Sequence, residues 1–232
     1  CPELQHLNVL LIDKDRKESN DRTWCFWTDK TDWYDEILYK SWQNIRFKSP
    51  LLNKKLPLKQ LTYKMLRGID FYRYTLGQLR QNPRFKIIQG TVQTVADFGE
   101  GAVVTMTDGT GYQCGRVFDS RVSADWLRQE TRGHNLMLQH FLGWEIEAES
   151  PVFEQDTIQM FDFNIPQHNE VRFVYILPFS PTRALVEFTV FSAGLLPQTT
   201  YETQLKDYVD NHLQLKNYRI TDTEKGVIPM TD

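Results

Sequence analysis

Between residues 138 and 192 the chain holds four strand-like segments in succession, LQHFLGWEIEAE, TIQMFDFNI, VRFVYILPFS and RALVEFTVFS, bounded by Pro, Asn and Gly. β-Branched and aromatic residues alternate along them, the pattern of strands whose two faces meet different surroundings. Nothing else in the sequence constrains the fold as tightly: these segments predict an antiparallel sheet with one face covered. The cover stands just downstream. TYETQLKDYVDNHL, residues 200–213, places Tyr201, Leu205, Tyr208, Val209 and Leu213 on one helical face, so a helix lies on that sheet.

The first half is patterned differently. LNVLLID, residues 7–13, is a short apolar run closed by Asp13, the form of a buried parallel strand. In dinucleotide-binding folds the second strand ends in an acid that accepts hydrogen bonds from a ribose, about 20 residues after a Gly-rich turn. Here that turn would precede Cys1, and VIPMTD brings no closing element, so the chain reads as a fragment. An ordinary strand with a polar cap is the competing reading of LNVLLID.

Residues 28–68 show no clean period and read as short strands and loops. GIDFYRYTLGQLRQN, residues 68–82, spaces Phe71, Tyr72, Leu76 and Leu79 as an amphipathic helix, with Asp70 as its N-cap. FKIIQG is a strand. Three β-runs follow, separated by the turn signals DFGEG and TDGTG, and GRVFDSR adds a further apolar strand. The predicted class is α/β: a doubly wound, Rossmann-like domain with a β-meander, plus a substrate domain built on an antiparallel sheet. Residues 1–23 and 69–133 are assigned to the first, 24–68 and 134–220 to the second, and 221–232 begin a return to the first.

The size, 232 residues, suits one or two domains, and a net charge of −3 points to no nucleic acid or other polyanion. Cys1, Cys25 and Cys114 form no CxxC or Cys/His pattern, which indicates no metal and favours a reducing compartment, the cytoplasm. No apolar run approaches the length of about 20 residues that a membrane-spanning helix needs. Membrane contact is therefore expected to be peripheral.

NDRTWCFW, residues 20–27, sets Asp21 and Arg22 directly against an aromatic run. It is either a polar turn entering a core strand or a polar cofactor edge joined to an apolar substrate wall. By alternation Trp24 and Phe26 share one face and Cys25 and Trp27 the other.

LLIDKD, NDRTWCFW, VFDSR, LQHFLGWEIE, MFDF, FVYILPFSPTRALVEFT and GVIPM, in this order, together resemble the lycopene cyclases, flavoproteins related to FAD-dependent hydroxylases and reductases. The resemblance runs from Leu10 nearly to the C-terminus, and it places the glycine fingerprint before LLID and a second Gly-rich segment after VIPMTD. It implies closure of the ends of lycopene, or related carotenoids, into β-ionone rings. The reaction is redox-neutral, yet it uses reduced FAD, with NADPH as the electron source. A flavin-dependent monooxygenase or isoprenoid reductase on the same architecture is the alternative enzyme, and a non-catalytic binding module the alternative from another class. The oligomeric state is not readable from the sequence.

Ring closure needs a carboxyl kept neutral by apolar surroundings and held at the end of an alkene. Glu187 in RALVEFTVF is the candidate acid, because its position matches the acidic segment at which the family is thought to carry that function. By alternation it shares a face with Leu185 and Thr189; a solvent-facing glutamate is the competing reading. Asp162 in MFDFNI is a second catalytic candidate, against a strand-end hydrogen bond. His140 is a candidate for proton transfer, against a core histidine, while Glu145 and Glu147 read as an exposed pair. Trp24, Phe26, Trp144 and Phe161, with Trp27 and Phe163, are candidates to line a polyene channel, since aromatic faces attract a carbocation. For the cofactor, Asp13 is the candidate for the adenosine ribose and Arg22 for the pyrophosphate or flavin edge. Asp119 and Ser120 are placed at the C-terminal end of a strand, where open α/β sheets bind ligands. A salt bridge or a turn cap is the alternative for each.

Overall fold

The computed structural model describes residues 6–121, 133 and 135–231. In chain order these form β1 (Val9–Asp13), β2 (Thr23–Thr28), a 3-10 turn (Trp33–Ile37), β3 (Lys40–Trp42), β4 (Asn44–Ser49), β5 (Leu52–Pro57) and β6 (Thr62–Arg67). Next come α1 (Gly68–Gln81), β7 (Phe85–Gln89), β8 (Val92–Phe98), β9 (Gly101–Met106), β10 (Gly111–Cys114), β11 (Leu136–Ala148), β12 (Thr157–Asp162), β13 (Val171–Pro178) and β14 (Arg183–Ser192). The chain closes with α2 (Gln198–Asp207), a single π turn (Tyr208–His212) and β15 (Tyr218–Thr231). The α/β class read from the sequence is the class observed. The chain divides into two compact units, Cys1–Thr23 with Leu66–Ala124, and Trp24–Met65 with Asp125–Asp232.

In the first unit β1 pairs in parallel with β7, with Val9 opposite Phe85 and Asp13 opposite Gln89. The parallel pairing fits the sequence, but full burial does not. Val9 and Leu11 are 37% and 39% exposed, because β7 is the one strand beside β1 among the described residues. Helix α1 begins at Gly68, two residues before the expected cap, and its N-cap is Arg67. The reason is local. The Gly68 N–H donates to Arg22 O at 2.7 Å, and the Ile69 N–H to Asn20 Oδ1 at 3.4 Å. The loop of residues 20–22 thus satisfies donors that a capping side chain would otherwise take. A Cβ on residue 68 would lie 3.1 Å from Arg22 O, so glycine permits this approach. Asp70 instead accepts from Arg67 Nε at 2.6 Å.

The meander forms as expected, in the order β10-β9-β8. GRVFDSR, however, is not a strand. Asp119 accepts from the backbone and the guanidinium of Arg121 at 3.0 and 2.9 Å, while Arg121 Nη1 reaches Val92 O at 2.7 Å. That local closure competes with a strand ladder.

The second unit is dominated by a sheet of seven strands in the order β15-β11-β14-β13-β12-β4-β5. It is mixed rather than antiparallel, because β4 and β12 run parallel. Its centre is covered on both faces. Along β14, Ala184 to Val190 are all buried. Val186, Phe188 and Val190 join Tyr201, Leu205, Tyr208 and Val209 of the helical segment in one core. Leu185 joins Trp42, Ile45, Tyr63, Met65, Ile158, Met160 and Leu177 in another. Each fully buried apolar side chain contributes roughly 1.5–3 kcal/mol. The second cover is the small sheet β2-β6-β3, held to the large one where Trp42 Nε1 donates to Pro178 O at 2.9 Å. Residues 221–231 stand in the second unit. They belong to β15, which pairs with β11 from Tyr218 opposite Ala148 to Thr231 opposite Leu136.

Candidate active site

Strand alternation on β14 turns Glu187 away from the helix-side core and onto the face of Leu185 and Thr189. Across the sheet, Glu187 stands opposite Tyr175 on β13 and Gly143 on β11. Gly143 in turn stands opposite Glu224 on β15. Residues directly opposite point to the same side, so Tyr175, Glu187, Gly143 and Glu224 form one row across four strands. The gap at glycine matters. A Cβ on Gly143 would lie 3.0 Å from Leu185 Cδ1, 3.1 Å from Glu224 Cγ and 3.5 Å from Glu187 Cβ. With no side chain there, the two carboxyl groups meet and hydrogen bond.

Burial is the largest cause holding the Glu187 carboxyl above the usual carboxylate range, and the charge of Glu224 and the hydrogen bond between the two add to it, raising it to about 8. Thr189 acts the other way by donating Oγ1–H to Glu187 Oε1 at 2.8 Å. Cys25 on β2 and Tyr63 on β6 border the same acid. Burial pushes the Cys25 thiol up to about 12, and burial also raises the phenols of Tyr63 and Tyr175. At neutral pH the thiol and the two phenols stay neutral, so among these neighbours Glu224 is the one charge set against the proton-bearing acid. An aromatic wall extends from it. Tyr175 meets Phe173 at 4.9 Å and Phe161 at 5.4 Å, and Phe161 stacks on Phe163 at 5.7 Å.

Several candidate residues fall elsewhere. Asp162 lies on the opposite side of the sheet, where Tyr208 Oη donates to it at 2.7 Å, the Asn164 N–H at 3.0 Å and Lys48 Nζ stands 3.6 Å away. It is opposite Val174, a member of the helix-side core, so alternation removes it from Glu187. Trp144 joins that same helix-side core, away from the acid. His140, 1% exposed, sits between Ser192 Oγ at 2.8 Å and Tyr201 Oη at 2.7 Å. Burial holds its imidazole below the usual value. Glu145 and Glu147 are engaged by Arg183 and Arg219. On β2 it is Cys25 that packs against the core beside Glu187, and Trp27 meets Tyr63 at 4.5 Å. Trp24 and Phe26 occupy the other face of the strand, where Phe26 meets Tyr34 edge-on at 5.1 Å.

In the first unit, Asp13 ends β1 with its side chain 39% exposed and Lys17 Nζ 3.4 Å away, while its Oδ1 accepts from the Asp15 N–H. A partly exposed acid at the end of a parallel strand fits a ribose-binding role. Arg22 keeps a 62% exposed side chain 3.5 Å from Asp21, and Asp21 accepts from Tyr72 Oη at 2.7 Å. Beside them is a cleft of about 210 Å³ lined by Arg16, Lys17, Glu18, Tyr72, Arg73 and Arg80, among others, whose basic groups suit phosphate oxygens. Asp119 is occupied by Arg121 in the irregular segment after β10, with Ser120 exposed beside it. Neither ends a strand. Among the described residues no group of three or more His, Cys, Asp or Glu could hold a metal.

Sequence reasoning missed Glu224, Gly143, Tyr63 and Tyr175. Their position depends on pairings between segments far apart in the chain, and Glu224 sits in TDTEKGVIPM, which has no alternation of its own. The one available signal was the glycine inside LQHFLGWEIE, since glycine in a strand interior marks a close approach.

A family model described as "Lycopene cyclase protein" matches residues 3–232. A lycopene beta-cyclase of a Paracoccus species is 38% identical over 90 residues, which is 39% of this chain and 22% of that relative. Among solved structures, the Diels-Alderase PyrE3 of pyrroindomycin biosynthesis aligns with a TM-score of 0.63 and 12% identity, over 98% of this chain and 52% of its own. A geranylgeranyl bacteriochlorophyll reductase-like protein of Thermoplasma acidophilum aligns at 0.59 and 12%, over 94% and 59%. The chain thus spans about half the length of these structures, and the likeness is one of fold.

Proposed function

Since the chain belongs to the lycopene cyclase family, we propose that it forms β-ionone rings from the linear ends of lycopene by acid catalysis, yielding β-carotene. The observation that carries this reading is Glu187, a buried carboxyl that keeps its proton at neutral pH beside an aromatic wall. Alkenes are weak bases, so the proton donor must be neutral, desolvated and positioned. Glu187 meets the first two conditions, and its strand supplies the third. Its O–H bond breaks as a C–H bond forms at the terminal alkene, leaving a tertiary carbocation that the ring-forming alkene attacks. Loss of a ring proton to a carboxylate completes an isomerisation with no change of oxidation state. Tyr175, Phe161 and Phe173 offer π-faces to the cation. Trp24, Phe26 and Trp144 lie on other faces and are left out of this step.

Asp13 and Arg22 fit the ribose and the phosphate edge of FAD, and the basic cleft fits further phosphates, with NADPH as the proposed electron source. When bound and reduced, the flavin would supply electron density that favours positive charge nearby. Lycopene is insoluble in water, so a peripheral, cytoplasmic membrane association is part of the proposal. Exposed Ile228 and Met230, which share one side of β15, support an apolar face. No helix among the described residues is long and apolar enough to cross a membrane.

The test is expression of the full-length protein in cells that accumulate lycopene. β-Carotene, an isomer of the substrate, is the expected product. A product carrying added oxygen or hydrogen would move the assignment to a monooxygenase or a reductase.

A further inference from the structure

Glu187 is buried against a second carboxylate, an arrangement that costs stability. The partner, Glu224, is only half-buried and stands on the sheet's edge strand, β15. Both belong to one row of the sheet, and the residue between them is the single one, glycine, that lets them touch.

We propose that Glu224 is a positioning residue for the acid: the two carboxyl groups, joined across Gly143, hold one proton between them, and Glu224 keeps it on Glu187 until the alkene takes it. This rests on the reading of Glu187 as the proton donor. Before transfer the pair carries one negative charge and one proton. After transfer it carries two negative charges facing one carbocation, and their attraction lowers the energy of that state. The proton released from the ring then returns to a carboxylate of the pair and passes between the two through their hydrogen bond. One proton leaves, one returns, and no electrons are exchanged. The exposed flank of Glu224 also gives the buried acid a route to solvent protons that does not cross the aromatic wall.

Other titratable groups also face the pair. Cys25 from β2, Tyr63 from β6 and Tyr175 from β13 border Glu187 and are neutral at physiological pH. One step along the same face are Glu145 and Asp222, of which Glu145 is engaged by Arg183. The largest cause of proton retention on Glu187 is burial, with Glu224 next. Removing Glu224's charge therefore shifts the titration without abolishing it.

The test is carboxyl NMR of the folded full-length protein labelled with ¹³C at the glutamate side-chain carboxyl, titrated with pH. One glutamate is expected to titrate far above the rest and to vanish in Glu187→Gln. In Glu224→Gln, which preserves shape, its midpoint should fall by on the order of one pH unit, a tenfold change in proton affinity. Glu224→Asp should restore most of that difference. An unchanged midpoint in Glu224→Gln overturns the proposal, because a packing role would leave it unmoved. Should Glu224→Gln not fold, Gly143→Ala carries the test. It retains both acids but drives a methyl against Glu224 Cγ, and the same downward shift is expected; no shift overturns the pair. The titration needs no substrate. A shift with no β-carotene formed would therefore remove the cyclase reading and leave the pair standing, whereas β-carotene with no shift would do the reverse.

Discussion

The large sheet buries ionisable groups on both faces and treats them in opposite ways. On the helix side, His140 lies between the hydroxyls of Ser192 and Tyr201, and Asp162 between Tyr208, Lys48 and a backbone N–H. Every one of those partners complements the group it meets. On the other side, Glu187 meets a second carboxylate, two phenols and a thiol, with one hydroxyl donating to it. Burial is common to both faces and so does not mark function. The partner does: a complementary partner holds a structure together, whereas a like-charged one leaves a group poised to give up or take a proton.

The contrast breaks most visibly if Glu187→Gln retains activity. That variant is a near-isostere of a carboxyl already protonated, so its fold should be unchanged by circular dichroism. Conversion of lycopene should nevertheless fall at least about 100-fold, the lower end of what a positioned proton donor contributes. Near-normal β-carotene by chromatography would remove Glu187 from the chemistry. On the helix side the expected loss is stability instead. Tyr208→Phe leaves Asp162 buried with one donor fewer, which should cost about 1–3 kcal/mol in denaturant unfolding. Turnover per folded molecule should stay unchanged, and a selective loss of turnover would show that the helix side takes part in catalysis.

Acidity should separate the faces with opposite signs. Glu187 has a folded value raised from 4.5 to about 8, so its contribution to stability is complete below 4.5 and is lost as pH rises through 8. His140 has a folded value lowered from 6.5, so its contribution is complete above 6.5 and is lost as pH falls below it. Thermal melts should therefore show Glu187→Gln gaining on the parent above pH 8 and matching it near pH 4. His140→Gln should lose least at low pH. The same slope in both comparisons would mean that the two environments are not distinct.

How much of this could be read in advance depended on the range over which each signal acts. Alternation in RALVEFTVF put Glu187 on the face of Thr189, and the structure keeps it there, because the period of two is local. Helix α2 with its buried Tyr201 and Leu205, and the π turn after it with Tyr208 and Val209, were legible for the same reason. Asp162 looked similar to Glu187, flanked by aromatics on a strand, but a register shift between Gln159 and Phe161 and the pairing with Val174 place it under the helix. Asp70 seemed a cap until the Arg22 carbonyl and the Asn20 side chain took that work. Glu224 was invisible, since its role is set by β15 pairing with a strand some 80 residues earlier. NDRTWCFW was half legible: its alternation holds, but Cys25 and Trp27, not Trp24 and Phe26, reach the acid's neighbours.

The finest probe of the comparison is Thr189, which is fully buried on the acid's own strand. Its hydroxyl donates to Glu187 Oε1 at 2.8 Å and, among the described residues, is the one contact that favours the ionised carboxyl. In Thr189→Val the methyl that replaces it donates nothing, so the acid should hold its proton more tightly and the glutamate midpoint should move up. A neutral hydrogen bond is worth about 0.5–1.5 kcal/mol, which limits the effect on cyclisation to about tenfold and predicts a decrease, because a tighter acid gives up its proton less readily. A midpoint that moves down instead would mean that Thr189 steadies the protonated form. The acid face would then complement its buried group as the helix side does.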